Sequence, residues 1–191
     1  MFSVPSGNFG NLSAGLMAYQ MGLPVKAFVA ACNENHPVPD YLSTGVYHPE
    51  PSVETISNAM DVGSPSNFVR MQILSGGILD EIKQLVKGYF TDDDLTKKRM
   101  SEVYEKTGYI MCPHTAVGYD GLLQYKKECG DKVTGVVLST AHYAKFLDVV
   151  EEVVGKQDIP KRLSDLLSLE KQATPMSTEF SDFKAWLMAN L

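Results

Sequence analysis

The chain has 191 residues with a formal net charge of -6, 44% of them apolar and 21% charged, enough for one domain with a buried core. That charge argues against nucleic acid or an anionic membrane as the main partner. No run approaches the roughly 18 apolar residues of a membrane span and the first residues show no basic-then-apolar pattern, so the cytoplasm is the expected location.

The run Phe2 to Pro5 reads as the end of a strand. Leu12 to Met21 has a helical pattern, stopped by Gly22 and Pro24 as a C-terminal glycine and following proline stop a helix. "VKAFVAACN", Val25 to Asn33, is a β-rich apolar run and predicts a buried strand. Strand, glycine turn, helix and strand make a βαβ unit, which implies a parallel sheet. Glu34 to Pro65 is rich in Pro, Gly, Ser and Asn and reads as a long loop with one short helix around Val53 to Met60. Ser66 to Tyr89 is read as helical, broken at Gly76-Gly77. "TDDDLTKKRMSEVYEKTG" predicts a helix capped by Thr91, supported by Asp93/Lys97 and Asp94/Lys98 pairs and ended by Gly108. "YIMCP" reads as a short strand and "TAVGYDGLLQYKKECG" as a helix stopped by Gly130. Val133 to Thr140 reads as a second buried strand, and the helix after it places Phe146, Val149, Val150, Val153 and Val154 on one apolar face. Beyond it, Ile159 to Leu169 reads as a short helix, "EKQATPMST" as a linker, and "FSDFKAWLMANL" as a terminal amphipathic helix. The fold class expected is α/β: a three-layer, open, mainly parallel sheet with helices on both faces, residues 1–155, followed by a helical tail, 156–191. Cys32, Cys112 and Cys129, like the four histidines, lack metal-type spacing, which predicts free thiols and no metal site.

The chemistry concentrates in "SVPSGNFGN", Ser3 to Asn11. A strand that ends in small residues and feeds a helix suits an anion: glycines let backbone approach, and the free amides and dipole of the first helical turn add positive potential. Ser6, Asn8 and Asn11 add neutral donors. Neither GxGxxG nor GxxxxGKS/T is present, so the loop reads as a phosphate cradle outside the two commonest nucleotide classes. A tight βα turn alone accounts for the same two glycines.

Four segments together resemble threonine synthase, a pyridoxal-phosphate (PLP) enzyme of the tryptophan-synthase-β-like group: "SVPSGNFGNLSAG", "SNAMDVGSPSNFVR" from Ser57 to Arg70, "CPHTAVGY" from Cys112, and "STAHYAKF" from Ser139. The last departs at Tyr143, where the family pattern expects proline. The resemblance runs from Phe2 to about Glu152 and weakens in the tail. It implies a partial fold-type-II PLP enzyme, with residues 1–155 forming the second half of the cofactor-binding domain. Gly7, Asn8, Phe9, Gly10 and Asn11 would hold the cofactor's 5′-phosphate, and the Thr140 hydroxyl would meet the pyridine nitrogen at a strand end. Asn58, Asp61, Ser64, Asn67 and Arg70 are expected near the site without individual roles, Asp61 and Arg70 serving equally well as loop pins. His114 and His142 belong to the motifs and are read as packing or hydrogen-bonding residues. The implied reaction converts O-phosphohomoserine and water to threonine and phosphate: protons leave Cα and then Cβ, phosphate leaves Cγ, and water adds at Cβ.

That chemistry needs a lysine that binds the cofactor covalently and moves protons. In the family it lies in a Phe-Lys-Asp-like motif well before the glycine loop, whereas Lys26 already follows the loop and Lys145 matches a different family position. The sequence therefore reads as a C-terminal portion, without the catalytic lysine and inactive alone, whose partner is the missing N-terminal part. A fragment of another enzyme of the group, or a non-catalytic phosphate-binding or docking module, are the alternatives.

Overall fold

The computed structural model describes residues 1–130 and 133–191. It divides into two compact units, Met1–Gln157 and Asp158–Leu191.

In the first unit, β1 (Phe2–Pro5), β2 (Phe28–Cys32), β3 (Val86–Phe90) and β4 (Val136–Val137) form one sheet in the order β3-β2-β1-β4. All its pairings are parallel, with Phe2 opposite Phe28 and Val136, and Phe28 opposite Val86. The period-2 pleat of β2 sorts the core into two faces. Phe28, Ala30 and Cys32 pack with Val4, Leu12, Leu16, Val38, Phe68, Met71 and Ile82. Apart from Val4 of β1, these partners come from α1 (Gly10–Gln20), α2 (Pro37–Thr44), α3 (Phe68–Leu74) and α4 (Leu79–Leu85), the first helical layer. Val29 and Ala31 face the opposite way, onto Val117 and Tyr125 of α6 (Pro113–Cys129). Behind α6, Met100 of α5 (Asp93–Thr107) and Val150 of α7 (Leu147–Val154) close a third cluster with Met111 and Ala116. Val149, Val153 and Val154 pack against that cluster, on the face their spacing predicts. The result is the expected three-layer, parallel α/β arrangement.

Several elements differ from the sequence reading. The stretch read as a loop after Asn33 contains α2, whose Val38, Tyr41 and Leu42 are buried; Pro37 opens it, where a missing amide loses no helical bond. The end of the stretch read as helical is strand β3. Its Gly88 is needed because α2 passes so close that a Cβ there would lie 2.7 Å from Cα of Pro39. Tyr109 to Cys112 joins no ladder, and Pro113 instead begins α6. Only Val136 and Val137 of the run from Val133 to Thr140 are bonded as strand, at the edge of the sheet, where Val136 is exposed. The cap of α5 is Asp92, which accepts from the Leu95 amide at 2.7 Å, while Thr91 is buried and donates to Asp120 at 3.0 Å. Lys97 pairs with Glu152 at 2.7 Å rather than with Asp93, whose carboxylate accepts the Ile56 amide.

The second unit carries α8 (Lys161–Leu167) and α9 (Phe180–Asn190). Leu166, Phe180, Phe183 and Met188 on these helices are exposed. No helix among the described residues is long and apolar enough to cross a membrane.

Candidate functional site

Between β1 and α1 the chain turns through Ser6 to Phe9. The Ser6 amide still donates to Ala31 of the neighbouring strand at 2.8 Å, and its hydroxyl turns back to the Val4 carbonyl at 2.7 Å. Phe9 then adopts φ 60°, the one positive φ of a non-glycine among the described residues. A left-handed conformation costs a non-glycine residue roughly 1–2 kcal/mol; here the Phe9 ring is buried in the core and holds the backbone in place. Helix α1 has no side-chain cap, and its first returning bond runs from the Ser13 amide to the Phe9 carbonyl at 2.9 Å. The amides of Gly10, Asn11 and Leu12 therefore stand at the open, positive end of the helix.

The floor of this turn is the backbone of Met60, so close that a Cβ on Gly7 would sit 2.6 Å from Met60 Cα. A polar network buries itself to hold that floor. Asn33 donates to Thr55 Oγ1 and Asp61 Oδ1, both at 2.8 Å, while Asp61 also accepts the Thr55 amide at 3.0 Å and the Thr55 hydroxyl at 2.7 Å. Asp61 is thus a loop pin. Asn8 is tied through its Oδ1, which accepts from the amide and hydroxyl of Ser66 at 2.6 and 3.0 Å. Asn67 approaches Gly10, whose added Cβ would meet its Nδ2 at 3.6 Å. Asn58, Ser64 and Arg70 are exposed.

Gly7, Asn8, Phe9, Gly10, Asn11 and Thr140 line a single cleft of about 230 Å³, together with Ala59, Met60 and His114. Among the described residues the cleft walls carry no carboxylate and no lysine. His114 is buried, its Nε2 accepts the Ala59 amide at 3.2 Å, and burial pushes its pKa down to about 4. His142 lies outside this cleft, accepting the Ala144 amide on Nδ1 at 3.2 Å. Thr140 also borders a neighbouring cleft with Tyr109, Ser139 and His142. The sequence reading missed the Ala59–Met60 backbone, which acts through amide and Cα atoms that carry no residue-type signal. Chemically, the arrangement offers neutral donors and a helix dipole to an anion, with no acid to repel it.

A family model described as "Pyridoxal-phosphate dependent enzyme" matches residues 1–140, and one described as "Threonine synthase, C-terminal" matches residues 115–186. The threonine synthase of Serratia marcescens is 40% identical over 189 residues, 98% of this chain and 43% of that protein. The crystal structure of threonine synthase from Escherichia coli superposes with a TM-score of 0.85 at 37% identity, covering 100% of this chain and 44% of the other. PLP-bound threonine synthase from Brucella melitensis gives the same TM-score of 0.85 at 28% identity, over 98% of this chain and 45% of the other. The chain thus spans less than half the length of the relatives it matches. A glycine loop opening a helix, a parallel sheet beneath it and these matches agree: the chain belongs to the pyridoxal-phosphate-dependent enzyme family and corresponds to the C-terminal part of its threonine synthases.

Proposed function

We propose that this chain supplies the phosphate-binding half of a threonine synthase active site. The supporting observation is the uncapped start of α1, whose amides border a cleft free of carboxylates. Gly7, Asn8, Phe9, Gly10 and Asn11 would hold the 5′-phosphate of pyridoxal phosphate, and Gly7 fits this role because the space of a side chain is already filled by Met60. Thr140 would orient the ring through its hydroxyl at the pyridine nitrogen; a neutral hydroxyl does not hold that nitrogen protonated, as a carboxylate would. The bound cofactor supplies an electron sink for proton removal next to the amino group.

No lysine lines the cleft among the described residues, which supports a source elsewhere for the group that moves protons between substrate carbons. We assign it to a lysine in the N-terminal part of the longer threonine synthases. The partner of this chain is then that part of the protein, and the substrate of the completed site is O-phosphohomoserine, converted with water to threonine and phosphate. The cleft volume, below the ~300–1,000 Å³ of whole small-molecule sites, supports a site with one wall still to be added. The free thiols of Cys32, Cys112 and Cys129 support a reducing compartment, the cytoplasm.

The test is borohydride trapping of the 191-residue chain with pyridoxal phosphate, read by peptide mass spectrometry, beside a threonine assay. Expected are no stoichiometric adduct on any one lysine and no threonine. One lysine labelled stoichiometrically, its replacement abolishing the label, would place the catalytic lysine inside this chain and overturn the reading.

A further inference from the structure

His114 sits near the start of α6 with 3% of its surface exposed, its ring 4.5 Å from that of Phe146. A neutral imidazole has one donor nitrogen and one acceptor nitrogen. Because Nε2 accepts the Ala59 amide at 3.2 Å, the proton belongs on Nδ1. That Nδ1 is the only buried side-chain nitrogen or oxygen without a partner among the described residues. A buried donor left unpaired forfeits its hydration without return, and native proteins rarely keep one without a use for it. His114 also lines the cleft that holds the glycine loop, and the Ala59 amide it grips leads directly into Met60, the floor beneath Gly7.

We propose that His114 is a binding residue of this cleft, held by Ala59 as the Nδ1–H tautomer, and that it donates this hydrogen bond to a phosphate oxygen of the ligand. The phosphate is assigned because His114 is bonded to the segment that floors the glycine loop. The inference rests on the reading of that loop as a phosphate cradle. It adds a side-chain donor to a site otherwise made of backbone amides, asparagines and a hydroxyl. Burial keeps the imidazole neutral near pH 7, so the bond comes from a neutral donor that costs no buried charge.

The test uses the whole 191-residue chain with nitrogen-labelled histidine. Long-range nitrogen–proton NMR correlations should show the proton of His114 on Nδ1. Saturation with inorganic phosphate, or with deoxypyridoxine phosphate (a methyl in place of the aldehyde, so that lysines are not labelled), should shift that Nδ1–H resonance and slow its exchange. Two variants separate the nitrogens. His114→Gln keeps an acceptor for the Ala59 amide and is expected to lose about tenfold in phosphate affinity. His114→Asn places an amide donor near Nδ1 and is expected to keep most of it. Saturable binding with an unmoved Nδ1–H resonance, or a folded His114→Gln variant that binds like the wild type, overturns the role of His114 and leaves the cradle standing. Failure of the wild-type chain to bind either probe overturns the cradle and this inference together.

Discussion

Gly7 and His114 set the behaviour of the site at the scale of single residues. A Cβ at Gly7 meets Met60 backbone rather than a movable side chain tip, so the loop or the Ala59–Met60 turn has to shift. Gly7→Ala is expected to destabilise the chain by about 1–3 kcal/mol and to weaken phosphate binding by at least ~10-fold, measured by denaturant melts and calorimetry. His114 makes stability depend on pH. Its pKa falls from 6.5 to about 4, chiefly through burial, with Lys145 pushing in the same direction and Asp61 opposing. The unfolded chain therefore takes up a proton that the folded chain refuses. The contribution is complete above pH 6.5, declines as pH falls toward 4, and totals on the order of 3 kcal/mol. Urea melts across that window should show a flatter decline in His114→Gln than in the wild type. The glycine loop was legible in the sequence because glycines and asparagines between a strand and a helix suit an anion, whereas Thr140 came from the family resemblance alone; the fold places both on one cleft. The role of Met60 was not legible, since it contributes only its backbone, and Asp61 became a loop pin only when Asn33 and Thr55 were seen around it.

At the scale of elements, α5, α6 and the end of β3 are joined through one carboxylate. Asp120, fully buried on α6, accepts from Arg99 Nε at 2.6 Å, from Thr91 Oγ1 at 3.0 Å and from Gln124 Nε2 at 2.8 Å. Removing it takes the acceptor from Thr91 and from Arg99 Nε, a largely buried guanidinium left with Glu102, while Gln124 keeps only its bond to the Phe90 carbonyl. Asp120→Ala is expected to cost about 3 kcal/mol, read as a loss of chemical-denaturation midpoint, and more than Thr91→Ala, which removes one bond of the three. This clamp explains why Thr91 does not cap α5 as its position in the sequence suggested: its hydroxyl faces inward to Asp120, and Asp92 takes the cap. Elements marked by glycine stops, acidic first turns, an apolar run or, in α7, an apolar face were visible in the sequence: α1, β2, α5, α6 and α7. Helix α2 and strand β3 were not. They pack against each other through Pro39 and Gly88, so tertiary contact, not local propensity, sets both.

At the scale of the whole molecule, the first unit holds every residue assigned to the cleft, and Asp158–Leu191 forms a unit of its own. The sheet carries four strands among the described residues and ends in a two-residue β4, while the matched threonine synthases are more than twice as long. Among the described residues the cleft is walled by the glycine loop, Ala59, Met60, His114 and Thr140 and by no lysine, as the proposed phosphate-binding role expects. With the cleft proposed as a phosphate cradle, binding specificity resides in the phosphate group. Calorimetric titration of the 191-residue chain with deoxypyridoxine phosphate, and with the same compound lacking its phosphate, tests this most directly. The predicted result is saturable one-to-one binding of the phosphorylated compound and at least ~10-fold weaker binding of the other. Equal binding of the two, or no saturable binding of the phosphorylated compound, would contradict it.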